Sequence, residues 1–146
     1  MSGQRHVLFD AGGLPLAVPA EAVQAIHDEL AVQRVEGTRE WFLGLAVADG
    51  RLLPVTDLAA WLGRRAAAGR TLQLHADVGL SGLRVDTVYG LSHAGAEPDA
   101  DAGAGAIGDG TVTALTIVQD ERRHRVLDLA GLLQSARFLD VSADDP

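Results

Sequence analysis

A five-residue segment recurs in the two halves of this chain and constrains what the chain can fold into. The segment Val55–Ala59 (VTDLA) is matched 71 residues later by Val126–Ala130 (VLDLA), and Asp49 aligns with Asp120 in the same register. In both places an apolar run, an acidic turn and a second run lead to an aspartate suited to a helix N-cap. The repeat predicts two related halves. Because the chain has only 146 residues, we expect those halves to share one core.

Short apolar runs separated by glycine or acidic turns predict an all-β fold with short helices, a barrel or a sandwich. The Asp-Gly at position 49 lies between two such runs, which is a strong hairpin signal. Ala22, Val23 and Ile26 fall at helical spacing after Pro19, and this predicts one short amphipathic helix. The predicted strands are His6–Asp10, Leu14–Val18, Ala31–Val35, Trp41–Val47, Arg51–Val55, Thr71–Ala76, Leu83–Leu91, Thr111–Val118 and Val126–Leu127.

The length favours a single domain over residues 1–146. Within it, the segment 94–110 is rich in Gly, Ala and Asp, which predicts a flexible surface loop. The last residues, 140–146, are predicted to form a frayed tail.

Composition excludes several classes of function. The formal net charge is -8, so the chain would repel a phosphate backbone, and nucleic acid is a poor partner. There is no cysteine, which removes thiolate nucleophiles and zinc–thiolate sites. The N-terminus lacks a signal-peptide pattern, and no apolar run approaches the ~20 residues of a membrane span. We therefore expect a cytoplasmic protein that does not insert directly into a membrane.

Motifs for catalysis or cofactor binding are incomplete. The five histidines have no metal-ligand spacing. The stretch 103–108 fits G-x-G-x-x-G in letters but follows no predicted strand, and Asp99 and Asp101 lack the glutamate that would complete a calcium loop. We expect no cofactor, no metal and no catalytic site. A small nucleotide- or metal-binding enzyme on a β-barrel scaffold is the alternative.

The stretch WFLGLAVADGRLLPVTDLAAWLG, at 41–63, resembles the central signature of the CheW family of chemotaxis adaptors. VLFDAGGLPLAVPAEAV resembles the family's opening strand pair, and GLRVDTVYGL resembles a later strand. The Trp-x-x-Gly start is most similar to PilI-type members of pilus-linked (twitching) chemosensory systems. The resemblance implies two intertwined five-stranded barrels over a shared core. It also implies a non-catalytic adaptor that binds the regulatory domain of a CheA-type histidine kinase and the cytoplasmic tip of a methyl-accepting chemoreceptor.

Candidate site residues follow from the same resemblance. Val35, Trp41, Leu43 and Asp49 are the candidate partner-binding residues, with the apolar ones in an exposed patch. The alternative for Trp41 is that it fills a barrel interior. Many family members carry arginine where this chain has Asp49, which puts ordinary receptor–kinase coupling in doubt, although aspartate also suits the turn.

The remaining matched residues have expected structural roles. Gly44 and Gly50 are assigned to turns, Pro54 to an edge position or bulge, and Leu58 to the core. In the second half, Asp128 and Leu129 take the roles of Asp57 and Leu58 as helix cap and core contact.

Overall fold

Strands dominate the computed structural model, which describes residues 5–65, 69–98 and 112–139. This confirms the all-β class with short helices. The strands in these ranges are β1 (His6–Ala11), β2 (Leu14–Pro19), β3 (Val23–His27), β4 (Phe42–Ala48), β5 (Arg51–Asp57), β6 (Thr71–Leu74), β7 (Gly82–Arg84), β8 (Thr87–Ser92), β9 (Glu97–Pro98), β10 (Val112–Gln119) and β11 (Arg122–Leu127). The helices are α1 (Leu58–Trp61), α2 (Leu129–Gln134) and α3 (Ala136–Leu139).

The strands form two sheets, and the strands of the second sheet lie in the chain between the early and late strands of the first. The six-stranded sheet has the order β8-β1-β2-β11-β10-β9, and the five-stranded sheet has the order β3-β6-β7-β5-β4. β11 pairs parallel to β2, and β5 pairs parallel to β7. The remaining pairings within both sheets are antiparallel. Setting aside the two-residue β9, the sheets therefore have the same sequence of strand directions. The first sheet joins both ends of the described chain, whereas the second uses its middle.

The core has one large cluster between the sheets and one small cluster on each. The large cluster unites β1 and β2 of the first sheet with β6 and β7 of the second, together with side chains from all three helices. Leu8, Ala17, Ile117 and Val126 pack together on the first sheet. Ala46, Ala48, Leu53 and Val55 do so on the second. The expected shared core is present.

The predicted helix caps and core leucines are confirmed. Asp57 Oδ1 accepts a hydrogen bond from the Ala60 amide at 3.2 Å, and Asp128 Oδ1 accepts one from the Gly131 amide at 3.0 Å. Leu58 is 0% exposed and Leu129 is 7% exposed. Each aspartate thus satisfies a backbone N–H at the start of a helix, and each following leucine anchors that helix to the core.

Three local predictions need correction, and long-range pairing explains each. The predicted helix around Val23 and Ile26 is a 3₁₀ turn (Ala20–Ala22) followed by β3, because that segment pairs with β6. The segment 31–35 is not a strand, since only Gln33 bridges to Leu45. The predicted strand Leu83–Leu91 is divided between β7 and β8.

Gly44 and Pro54 also differ in part from expectation. Gly44 lies within β4, not in a turn, and a Cβ there would lie 2.1 Å from the Gln33 carbonyl oxygen. Glycine therefore permits a close backbone approach. Pro54 belongs to an inner strand, but β5 meets β7 only from Val55 onward, so its missing N–H interrupts no ladder on that side.

Two predicted segments fall partly or wholly outside the described residues. The loop expected at 94–110 is described only as far as Pro98, where β9 pairs with β10. Its remainder, and the tail expected at 140–146, lie outside.

Candidate protein-docking site

The β4–β5 hairpin carries an exposed apolar pair near its turn. Val47 and Leu52 face each other across the two strands, and their side chains are 66% and 62% exposed. Their chain neighbours Ala46 and Leu53 are buried, because successive strand residues point to opposite faces. One face of the hairpin thus fills the core, and the other presents two apolar side chains to solvent.

Asp49 sits in the turn beside this pair. It has φ of 53° and Gly50 has φ of 73°, as a two-residue hairpin turn with both central residues left-handed requires. The Asp49 carboxylate accepts hydrogen bonds from Gln73 Nε2 at 3.1 Å and from Gln24 Nε2 at 3.3 Å. The tip therefore holds an oriented negative charge next to apolar surface.

The two glutamines come from the far side of the same sheet. Gln24 lies on β3 and Gln73 on β6, whereas the hairpin forms the opposite edge. The sheet is curled so that its ends approach. Gln73 is 2% exposed, and its Oε1 lies 2.7 Å from His27 Nε2. That arrangement sets the amide so that its nitrogen points at Asp49.

Trp41 is not part of an exposed patch, which corrects that hypothesis. It is 7% exposed and meets Trp61 edge to face, with ring centroids 4.9 Å apart. It also stacks on Phe138 at 5.9 Å. Trp41 instead fills the interior, as the alternative interpretation had it. The two rings that it contacts come from distant parts of the sequence.

Val35 and Leu43 are half-buried and pack against different core clusters, Val35 against the large one and Leu43 against that of the second sheet. Of the four candidate residues, only Asp49 lies at the exposed apolar pair. Val47 and Leu52 were missed. Strand alternation was the signal that could have found them, since Ala46 and Ala48 occupy the inward phase of β4.

The described residues contain no group of three or more potential metal ligands. His124 is buried, and its Nδ1 lies 3.1 Å from the Leu16 carbonyl oxygen. Desolvation lowers the pKa of His124 below its ordinary value of 6.5, and the hydrogen bond to Leu16 partly opposes this. The G-x-G-x-x-G stretch and the acidic pair at 99 and 101 lie outside the described ranges. No helix among the described residues is long and apolar enough to cross a membrane.

Comparisons with known proteins agree with this architecture. Residues 5–137 match the model of the CheW-like domain. Protein PilI of Pseudomonas aeruginosa is 33% identical over 90 residues, which is 58% of this chain and 50% of that protein. The chain thus matches about half the length of that curated relative.

A solved structure shows the same fold. The scaffolding protein TtCheW from Thermoanaerobacter tengcongensis superposes with a TM-score of 0.76 at 19% identity, covering 93% of this chain and 95% of that one. The family match spans both sheets and all the helices but the end of α3. This chain belongs to the family of CheW-like domains.

Proposed function

We propose that the chain is a non-catalytic cytoplasmic adaptor that couples a chemoreceptor to a CheA-type histidine kinase. Membership of the CheW-like family supports this proposal, as does the likeness to a protein named as scaffolding. The similarity to PilI supports placing the adaptor in a pilus-linked chemosensory system. The described residues contain no cluster of potential metal ligands, so they offer no support for the alternative of a metal-dependent enzyme.

The observation that carries the proposal is the exposed pair of Val47 and Leu52 beside the oriented Asp49 carboxylate. Full burial of an aliphatic side chain of this size contributes about 1.5–3 kcal/mol. The pair can therefore supply affinity to a partner that covers it. Asp49 can supply selectivity, because charge complementarity favours one partner over another.

The test uses the CheW-like regulatory domain of a CheA-type histidine kinase from the same organism. Val47→Ser should weaken binding by about 1–2 kcal/mol, measured by isothermal titration calorimetry. Val118→Ser is the matched control, since Val118 is 55% exposed at the equivalent place on the β10–β11 hairpin. Both changes are at exposed positions and should leave the melting temperature unchanged. If both variants bind the kinase domain as tightly as the unaltered protein does, the β4–β5 hairpin is not part of the kinase interface. If the unaltered protein does not bind the kinase domain at all, the adaptor proposal is rejected.

A further inference from the structure

The edge strand β3 carries a β-bulge at Gln24. Between Val23 and Ala25 this strand advances by two residues while its neighbour β6 advances by one, so Gln24 is the extra residue. A bulge takes its extra residue out of the ladder and turns the side chain in a new direction. From this position the Gln24 Nε2 donates a hydrogen bond to Asp49 Oδ2, 3.3 Å away in the turn of the β4–β5 hairpin.

The edge strand of the first sheet has the same feature. Between Val88 and Gly90, β8 advances by two residues while β1 advances by one, so Tyr89 is the extra residue there. The Tyr89 hydroxyl accepts a hydrogen bond at 2.6 Å from Arg122, which begins the second strand of the β10–β11 hairpin. Unlike side chains at equivalent bulges thus contact the two hairpins. This recurrence indicates that the bulge brings a polar side chain of the edge strand to the hairpin tip.

Gln73 joins Gln24 at the Asp49 carboxylate. Its Nε2 lies 3.1 Å from Oδ2, the same oxygen that Gln24 contacts. An ionised carboxylate only accepts hydrogen bonds, so both amides must turn their nitrogen toward it. Hydrogen bonds to a charged group are stronger than those between neutral groups. Two such donors on one oxygen therefore fix the direction in which the carboxylate points.

The direction of this hydrogen-bond chain continues inward to His27. Gln73 is 2% exposed, and its Oε1 lies 2.7 Å from His27 Nε2. Because the amide nitrogen faces Asp49, the amide oxygen faces the imidazole, and that oxygen can only accept. His27 must therefore carry a proton on Nε2, since the tautomer of a histidine follows the hydrogen bonds that it makes. A charge at the surface thus sets the position of a proton on β3.

We infer that Gln24 and Gln73 are positioning residues that hold the Asp49 carboxylate in one orientation for a partner protein, and that Gln73 transmits the sign of the charge at position 49 to His27. Immobilising a side chain during association costs affinity, so a carboxylate that is already oriented binds with a smaller loss of entropy. The inference rests on the proposed function and deepens it, because it states how Asp49 is prepared to select a partner.

The first experiment measures affinity for the regulatory domain of the kinase by calorimetry. Gln24→Ala removes one donor at an exposed position and should weaken binding by about two- to tenfold, which corresponds to ordering one side chain. The same change in an Asp49→Ala background should have no effect, because Gln24 acts through Asp49. Tyr89→Phe is the matched control at the bulge of the first sheet, and it should leave the affinity unchanged.

The second experiment reads the tautomer of His27 without any partner. Long-range proton–nitrogen NMR of the imidazole is recorded at about pH 8.5, where an ordinary histidine is neutral. We expect the proton on Nε2 in the unaltered protein and in Asp49→Asn, whose amide oxygen can still accept. Asp49→Arg replaces the acceptor with donors. The Gln73 amide should then turn its oxygen outward, and the proton of His27 should move to Nδ1.

Several outcomes would overturn the inference. A cost of Gln24→Ala that persists in the Asp49→Ala background would assign Gln24 to the sheet alone. A proton that stays on Nε2 of His27 in Asp49→Arg would show that Gln73 does not follow the charge. If Val47→Ser weakens kinase binding while Gln24→Ala does not, the proposed function survives and the positioning role falls. If the unaltered protein binds no kinase domain, the proposed function itself fails, whichever tautomer His27 adopts.

Discussion

The β4–β5 and β10–β11 hairpins have the same backbone form and different side chains. Asp49 and Asp120 both have φ of 53°, and each hairpin runs into an aspartate-capped helix. Position 52 is an exposed leucine, whereas the equivalent position 123 is an arginine. The inward residue that follows is Leu53 in the first hairpin and His124 in the second, and both are buried. The two hairpins thus share the aspartates of turn and cap, while the residues on both of their strand faces differ in chemistry.

Each hairpin also reaches across its own sheet, by different means. The first uses the Asp49 carboxylate, which binds Gln24 on β3 and Gln73 on β6. The second uses the guanidinium of Arg122, which donates to Asp10 on β1 at 3.3 Å and to the Tyr89 hydroxyl on β8 at 2.6 Å. β1 and β8 occupy the places in their sheet that β6 and β3 occupy in the other. In each sheet a charged side chain of the hairpin thus contacts the two strands at the far edge. That side chain is a carboxylate in the first sheet described here, that of β4 and β5, and a guanidinium in the other.

The largest expected effect tests whether the two helix anchors are equivalent. Leu58→Ala and Leu129→Ala should each lower the free energy of unfolding by about 2–5 kcal/mol, with Leu58 the larger because it is fully buried. Urea denaturation measures both. Leu139→Ala, at an exposed position, is the control and should change stability little. A loss of less than about 1 kcal/mol at either buried leucine would show that the two halves are anchored differently.

The second prediction separates the hairpins by partner binding. Asp49→Arg reverses the charge that Gln24 and Gln73 hold in place. We expect the proposed kinase partner to present a basic group opposite Asp49. The substitution should therefore weaken its binding by about 2 kcal/mol or more, since like charges at an interface are costly. Asp120→Arg makes the same substitution in the equivalent turn and should leave affinity unchanged, as measured by calorimetry. If both variants bind as the unaltered protein does, then Asp49 serves the turn alone.

The third prediction concerns the second residue of each turn, Gly50 in the first hairpin and Glu121 in the second. Glu121 has φ of 66°, a left-handed conformation that costs a non-glycine residue about 1–2 kcal/mol. Glu121→Gly should therefore stabilise the protein by about 0.5–1 kcal/mol after the entropy of glycine is counted. Gly50→Ala has open space for its Cβ and should destabilise by about 1–2 kcal/mol through backbone strain alone. Changes of the same sign in denaturation experiments would contradict the shared backbone geometry.

The smallest effect concerns pH and the inward residues of the two hairpins. Burial lowers the pKa of His124 below its ordinary value of 6.5, so the unfolded chain binds a proton at a higher pH than the folded protein does. The free energy of unfolding should decrease as the pH falls below 6.5. His124→Leu, which copies Leu53 of the first hairpin, should reduce this decrease. Val118→Ser, at an exposed site on the same hairpin, is the control and should not. If the free energy of unfolding depends on pH in the same way in His124→Leu and in the unaltered protein, His124 is not the source of the loss of stability below pH 6.5.

Local patterns predicted the elements whose causes are local. The Asp-Gly and Asp-Glu turns and the N-capping aspartates depend on a few adjacent residues, so both hairpins and both caps were found. The segment 22–27 was misassigned as a helix because apolar residues at 22, 23 and 26 suit a helical stripe, while the pairing with β6 that makes it a strand lies far along the chain. Trp41 was misplaced for the same reason, since Phe138 and Trp61 bury it. Val47 and Leu52 were overlooked because their exposure depends on which strand face meets the core.

The pairing of β2 with β11 has a consequence for synthesis on the ribosome. His124 and the Leu16 carbonyl that it contacts are 108 residues apart, so the first sheet cannot be completed until β11 has left the exit tunnel. Strands β3 to β7, by contrast, are all available once Arg84 has emerged. At about 5–20 residues per second, the nascent β1–β2 hairpin waits several seconds beside a sheet that can already form. Because the large core cluster unites β1 and β2 with β6 and β7, we expect only the edge of β2 that pairs with β11 to be protected from hydrogen exchange later than the middle strands.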